Sequence, residues 1–249
     1  MRARPPRFGA ARVISKLGLG SRTQAAQWVR EGRVRVNGRL ISDPEFPVNQ
    51  ATDRVSVDGE AQAPSRLVIM LNKPRGLVTT TRDEQGRDTV YRCLEGAGLP
   101  WLAPVGRLDK ASEGLLLFSN DPKWAARMTN PATGPDKTYH VQIDRIADAT
   151  LAAMLERGSS VDGELLSAKR ARCLRQGEKN AWIEIILDEG RNRQIRRLLG
   201  AFDIAVLRLV RVSVGNLQLG GLPKGTWRTV TQPELESLEP PPPLDHPRG

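Results

Sequence analysis

Cysteine, histidine and tyrosine are nearly missing from this chain, with two of each among 249 residues. Cys93 and Cys173 show no metal-ligand spacing and are too few for a disulfide framework, which fits a reducing compartment. His140 and His246 stand far apart and nothing resembles H-E-x-x-H, so a His/Cys metal centre has almost no material. No apolar run approaches the length of a membrane span. The basic opening "MRARPPRFGA" is not followed by the apolar core of a secretory signal. Neither G-x-G-x-x-G nor a P-loop occurs. These absences point to a soluble, cytoplasmic protein whose chemistry falls to Asp, Glu, Tyr, Lys and Arg.

Positive charge is what the chain has in excess. Thirty-eight Lys and Arg against 28 Asp and Glu give +10 and a sequence pI near 10.3. Such an imbalance favours a polyanionic partner, bound through phosphate contacts and counterion release. A hydrophobic content of 39% is ordinary for a folded protein, and the length allows one large domain beside a small one.

Residues 1–65 read as the small unit. "AARVISKLG" places Val13, Ile14 and Leu17 at helical spacing and stops at Gly18. Ser21 caps a second helix, with Gln24 in the capping-box position and Ala25, Trp28 and Val29 on its apolar face. "RVRVNG" then predicts a strand closed by the tight turn Asn37-Gly38, and "DRVSVDG" another. This unit holds eleven Lys/Arg against six Asp/Glu, clustered at Arg22, Arg30, Arg33, Arg35 and Arg39. "APSRL" reads as a linker.

From residue 66 to 238 strands alternate with helices. "LVIML", "GLLLFSN", "KTYHVQI", "AWIEIILDEG", "AVLRLVRVSVGN" and "GTWRTVT" predict strands. "KWAARMTNP", with Ala126 and Met128 apolar, "ATLAAMLERG" and "RNRQIRRLLGAF" predict helices. In "KTYHVQI", Tyr139, Val141 and Ile143 share one face. Residues 239–249 carry too much proline to pack, so a disordered tail is expected. The element order predicts an α+β fold.

Asp109 lies between Arg107 and Lys110, in a turn from Gly106 to Gly114 that feeds a buried strand. Constrained backbone there suits a positioned nucleophile or base. It equally suits a surface aspartate paired with Arg107. Glu113 is a second carboxylate nearby, and a hydrolase using both would need the two to face one cleft. The arginines of "RNRQIRR" are either a solvated helix face or, with six arginines between residues 191 and 211, a phosphate-binding surface.

"GRLDKASEGLLLFSND", residues 106–121, resembles the signature of the RNA pseudouridine synthases. With "NKPRG" before it and "RNRQIRR" and "LRLVRVSVGNLQLGGLPKGTWRTVT" after it, the chain is similar to the RsuA-like ribosomal RNA branch. The front unit resembles the S4 RNA-binding module. The resemblance implies a catalytic α+β domain with a mixed, mainly antiparallel sheet and a central basic cleft. It makes Asp109 the catalytic aspartate, Tyr139 the residue stacked beside the target base and Arg196 the basic partner of the aspartate. Arg107 would hold the flipped nucleotide out. Lys73, Arg75, Lys110, Arg191, Arg193 and Arg197 are expected to contact RNA, as are Arg22, Arg33 and Arg35 of the front unit. The implied substrate is ribosomal RNA, free or in an assembling particle, with the large-subunit RNA favoured. The implied reaction oxidises nothing and needs neither cofactor nor metal, and a monomer is the default expectation. A non-catalytic RNA-binding factor on the same scaffold is the alternative of a different class.

Overall fold

A computed structural model describes residues 6–50, 52–58, 65–81, 83–148 and 150–239. The proline-rich tail expected over 239–249 lies, but for Glu239, outside them, as do Ala63 and Pro64 of the linker.

The N-terminal unit begins with β1 (Phe8–Gly9), α1 (Ala10–Lys16) and α2 (Arg22–Arg30). Ser21 caps α2 as its sequence predicts. Its hydroxyl accepts from Gln24 N at 3.1 Å, while the Gln24 side chain accepts from Ser21 N at 3.0 Å. Strands β2 (Val34–Val36) and β3 (Arg39–Leu40) form a hairpin, with Asn37 and Gly38 both at positive φ (51° and 80°), as a type I′ turn demands. β4 (Pro47–Val48) pairs with β1, and β5 (Val55–Val57) with β2. The core is small and aliphatic: Val13, Ile14, Ala25, Val29, Val34 and Val48 are buried. Leu17, expected on that face, stays largely exposed because α1 ends at Lys16.

The larger unit runs β6 (Val68–Lys73), β7 (Ala103–Val105), β8 (Glu113–Ser119), α3 (Pro122–Thr129), β9 (Lys137–Ile143) and α4 (Leu151–Arg157). It continues through β10 (Ser159–Val161), β11 (Glu164–Leu166), β12 (Arg170–Gln176), β13 (Ala181–Leu187) and α5 (Gln194–Gly200). It ends with β14 (Val206–Val214), β15 (Leu217–Gln218), β16 (Trp227–Thr229) and α6 (Gln232–Leu238). One sheet has the order β12-β13-β9-β14-β8-β6-β16, with β7 on β8 and β15 on β14. All its pairings are antiparallel except β14 with β8. The fold is α+β with a mixed, mainly antiparallel sheet.

That one parallel pairing places the site. It lasts only from Val210↔Glu113 to Arg211↔Gly114, after which the strands part. At the contact a Cβ on Gly114 would lie 2.3 Å from the Arg211 carbonyl oxygen, and Gly114 takes a φ of +100°. No other residue fits there. The sheet therefore consists of two antiparallel halves joined at a short seam, and a cleft opens where they diverge. Alternate residues of β6 and β8 divide between two apolar clusters, Ile69, Leu71, Leu116 and Phe118 in one, Val68, Met70, Leu115 and Leu117 in the other. This half is covered on both faces. Helix α3 buries Trp124 and Met128, four residues apart, whereas Ala126 is exposed, contrary to its expected place.

Candidate active site

The turn that carries Asp109 precedes β8 and ends at the seam. Three contacts fix its backbone. The Lys73 ammonium donates to the carbonyls of Ser112 (2.8 Å), Pro74 (3.1 Å) and Asp109 (3.2 Å). Gly76 N donates to Lys110 O at 2.7 Å. The Thr79 hydroxyl donates to Leu108 O at 2.7 Å and accepts from Leu108 N at 3.3 Å. Residues 73–79 thus splint residues 108–112. Lys73 is wholly buried, and burial pushes its ammonium down to about 8. A buried lysine cannot meet a phosphate, which corrects its expected RNA contact: "NKPRG" supplies the support of the turn, and Arg75 alone of its two cations is exposed.

Asp109 faces a cleft of about 660 Å3. It is lined by Val105, Leu117 and Val214 of one apolar cluster, by Tyr139 and Leu209 of the other, and by residues 189–196. Tyr139 is 9% exposed, packed into the apolar core and open to the cleft along what remains. The β9–β14 register sets Arg211 opposite Tyr139. Arg211 lines the cleft, is buried, and donates Nε to Leu115 O at 2.7 Å. Strand register brings Arg211, one of the six arginines counted in the sequence, to the cleft, and Ser112 lines it from the turn that carries Asp109.

The arginines are distributed differently from the expectation. The ion pair to Asp109 comes from Arg193, Nη1 to Oδ2 at 3.7 Å, and not from Arg196 or Arg107. Arg193 has a left-handed backbone (φ 48°) at the start of α5, which turns its side chain back over the cleft. Arg196 also lines the cleft, but its guanidinium reaches the carbonyls of Val206 (3.3 Å) and Ala111 (3.5 Å). Burial, and then repulsion from Arg193, hold Arg196 below the usual arginine range, partly offset by Asp109. Arg107 and Arg191 line the cleft at the exposed rim, and Lys110 is exposed beside it.

Of the six arginines between 191 and 211, Arg191, Arg193, Arg196 and Arg211 line the cleft, and Arg197 and Arg208 do not. Arg197 points to the β10–β11 hairpin, where Glu164 (2.9 Å) and Asp162 (3.2 Å) neutralise it, so its expected RNA contact is not supported. Arg208 lies on the opposite face of the sheet, bonded to Glu113. In the front unit Arg22, Arg33 and Arg35 are exposed; Arg22 is paired with Glu45 at 3.7 Å, and Arg33 with Asp58 and Glu31.

Glu113 does not share the cleft. Its carboxylate is 4% exposed and is held by Arg208 at 3.1 Å and by Lys224. Burial alone would raise its pKa, but these bonds bring it below the usual carboxylate range. A hydrolase using Asp109 and Glu113 across one cleft is excluded.

The comparisons agree with this architecture. The model of the RNA pseudouridylate synthase family matches residues 67–201, and the S4 domain model matches residues 11–55. An uncharacterized RNA pseudouridine synthase of Aquifex aeolicus is 35% identical over 91% of this chain and 92% of its own. Ribosomal large subunit pseudouridine synthase B of Bacillus subtilis is 32% identical over 91% of this chain and 95% of its own. A crystal structure of a pseudouridylate synthase superposes with a TM-score of 0.65 at 28% identity, covering 93% of this chain and all of that one. The chain belongs to the RNA pseudouridylate synthases, with an S4 domain ahead of the catalytic one.

Proposed function

We propose that this enzyme converts a uridine of ribosomal RNA, in the large subunit, to pseudouridine, with Asp109 as the catalytic carboxylate. The observation that carries the reading is the convergence of Asp109, Tyr139, Arg193 and Arg196 on one cleft at the seam of the sheet. The relatives named as large-subunit synthases, from Bacillus subtilis and Haemophilus influenzae, support the choice of RNA. As those relatives are bacterial, the cytoplasm is the proposed location.

The reaction breaks the N1–C1′ bond of uridine and forms C5–C1′. A proton leaves C5 and one is gained at N1, so nothing is oxidised and no group is donated from outside. The target nucleotide must first leave its stack, which costs a few kcal/mol. Stacking on the Tyr139 ring, which lines the cleft, would recover part of it, about 1–3 kcal/mol per base. Arg107 and Arg191 at the rim suit the flanking phosphates. Asp109 then adds to the sugar or the base, or removes a sugar proton. Arg193 neutralises it at rest, and Arg196 fixes the Ala111 carbonyl two residues on.

Mapping pseudouridines in ribosomal RNA from cells with and without the gene tests the assignment. The expected outcome is loss of one site in the large-subunit RNA, restored by the wild-type gene. Unchanged large- and small-subunit maps would overturn it, and a site lost from the small-subunit RNA would overturn the choice of subunit.

A further inference from the structure

The face of the sheet opposite the cleft carries a second set of arginines, and the active site uses none of them. Strand register defines this face. Arg170, Arg172 and Arg175 on β12 stand opposite Ile186, Glu184 and Trp182 on β13. Trp182 in turn stands opposite Gln142 on β9, and Gln142 opposite Arg208 on β14. The alternate residues Ala181, Ile183 and Ile185 are buried, whereas no outward residue of β9, β12 or β13 is buried. Four strands therefore present an open, polar, cationic face.

Two carboxylates below the surface hold its cations in place. Glu184, 16% exposed, accepts from Arg172 Nε at 2.6 Å and lies 3.3 Å from His140. Arg172 is itself 68% exposed, and its terminal nitrogens make no hydrogen bond among the described residues. Glu113, more deeply buried, accepts from Arg208 Nε and Nη2 and from Lys224. Arg175 and Arg208 both lie over the Trp182 ring, at 5.3 and 5.5 Å. Arg170 and Arg175 have no carboxylate partner among the described residues. Each glutamate is used up inside the network, and the outward edges of the guanidiniums remain as donors. Rigid forks with free N–H edges match phosphate oxygens.

Arginines on an edge strand also guard against edge-to-edge pairing. That function explains β12, but not Arg208, which lies on β14, three strands further in, nor the glutamates beneath the cations that orient them. We infer that this face is a second RNA-binding surface, which grips the phosphate backbone of a helix of the substrate RNA remote from the modified nucleotide. The inference rests on the reading of the substrate as a large structured RNA. It explains why the positive charge of the catalytic unit is not confined to the cleft.

The test uses the full chain with Arg170→Gln and Arg175→Gln combined, since neither residue forms an ion pair or belongs to the cleft. Two RNAs are compared: a stem-loop carrying the mapped uridine, and a long ribosomal transcript enclosing it. With the melting temperature unchanged, turnover on the stem-loop should equal that of wild type. Affinity for the long transcript should fall roughly tenfold, and the slope of log affinity against log salt should flatten by about one per arginine removed. Charge reversal to Glu at both positions should deepen the loss. Equal affinity and slope for the long transcript would overturn the inference, as would an equal loss on both RNAs. Loss of binding to ribosomal particles but not to naked transcript would instead assign the face to a protein. If the wild type fails on the stem-loop, the proposed activity falls, while the transcript comparison still reads this surface.

Discussion

At the scale of the residue, the site depends on how Asp109 is held. Its backbone is pinned from below by Lys73, a wholly buried ammonium whose pKa is brought down to about 8 by burial. In the unfolded chain the same group returns to 10.5. Below pH 8 it is charged in both states, and the cost of burying it is borne in full. Between pH 8 and 10.5 the unfolded chain binds more protons, so this group makes stability rise with pH, by about 3 kcal/mol across the window. Urea unfolding of wild type and Lys73→Met from pH 7 to 11 should show the wild type gaining on the variant through that window. Parallel curves would mean that Lys73 titrates in the fold as it does in solution.

That Asp109, Tyr139 and Arg196 lie on one cleft was legible because long motifs carried them, but the expected pairing of Arg196 with Asp109 is taken by Arg193. The role of Lys73 was not, since a lysine beside proline and glycine looks like a loop cation until the turn is seen to close over it. The Arg193 ion pair was equally hidden. Which arginine of "RNRQIRR" meets Asp109 depends on the left-handed backbone at Arg193, and an arginine gives no sign of that.

At the scale of the element, the seam between β14 and β8 decides where the cleft lies. Glu113 stabilises it by tying Arg208 of β14 and Lys224 to the start of β8. Glu113→Ala removes the anchor of two cations that are 39% and 58% exposed, and should cost about 1–2 kcal/mol in a denaturant titration. The folded variant should still turn over below its melting point. Lost turnover with unchanged stability would instead place Glu113 in the chemistry.

The strands with an apolar face, β6, β8, β9, β13 and β14, were readable from alternation or from continuous apolar runs. Strand β12 was not, because "RARCLRQ" offers no apolar face and pairs only along an edge. The β10–β11 hairpin is too short for a pattern. Helix α6 did carry a signal, the capping box Thr231–Glu234 with Pro233 in its first turn. Its closeness to the proline-rich tail obscured it.

At the scale of the whole molecule, the S4 unit and the catalytic unit share the positive charge about equally. The first 65 residues carry +5 of the total +10. Arg35 is exposed with no carboxylate partner among the described residues, whereas Arg22 is paired with Glu45 and Arg33 with Asp58 and Glu31. Removing residues 1–62 should weaken RNA binding and flatten its salt dependence, with the catalytic domain still folded by circular dichroism. Unchanged affinity for structured RNA would show that the S4 unit contributes nothing to capture.

The two-unit organisation and the net charge were plain in the sequence, because each follows from composition along the chain. The split of the catalytic unit's arginines between two faces was not, because strand register, and not spacing, sends Arg211 into the cleft and Arg208 to the opposite side. The most direct test of the central claim is tritium release from C5-labelled uridine in large-subunit ribosomal RNA. The wild type should release label in proportion to pseudouridine formed, and Asp109→Asn, folded and still binding RNA, should release none above background. Full turnover by Asp109→Asn would contradict the assignment of the chemistry to that carboxylate.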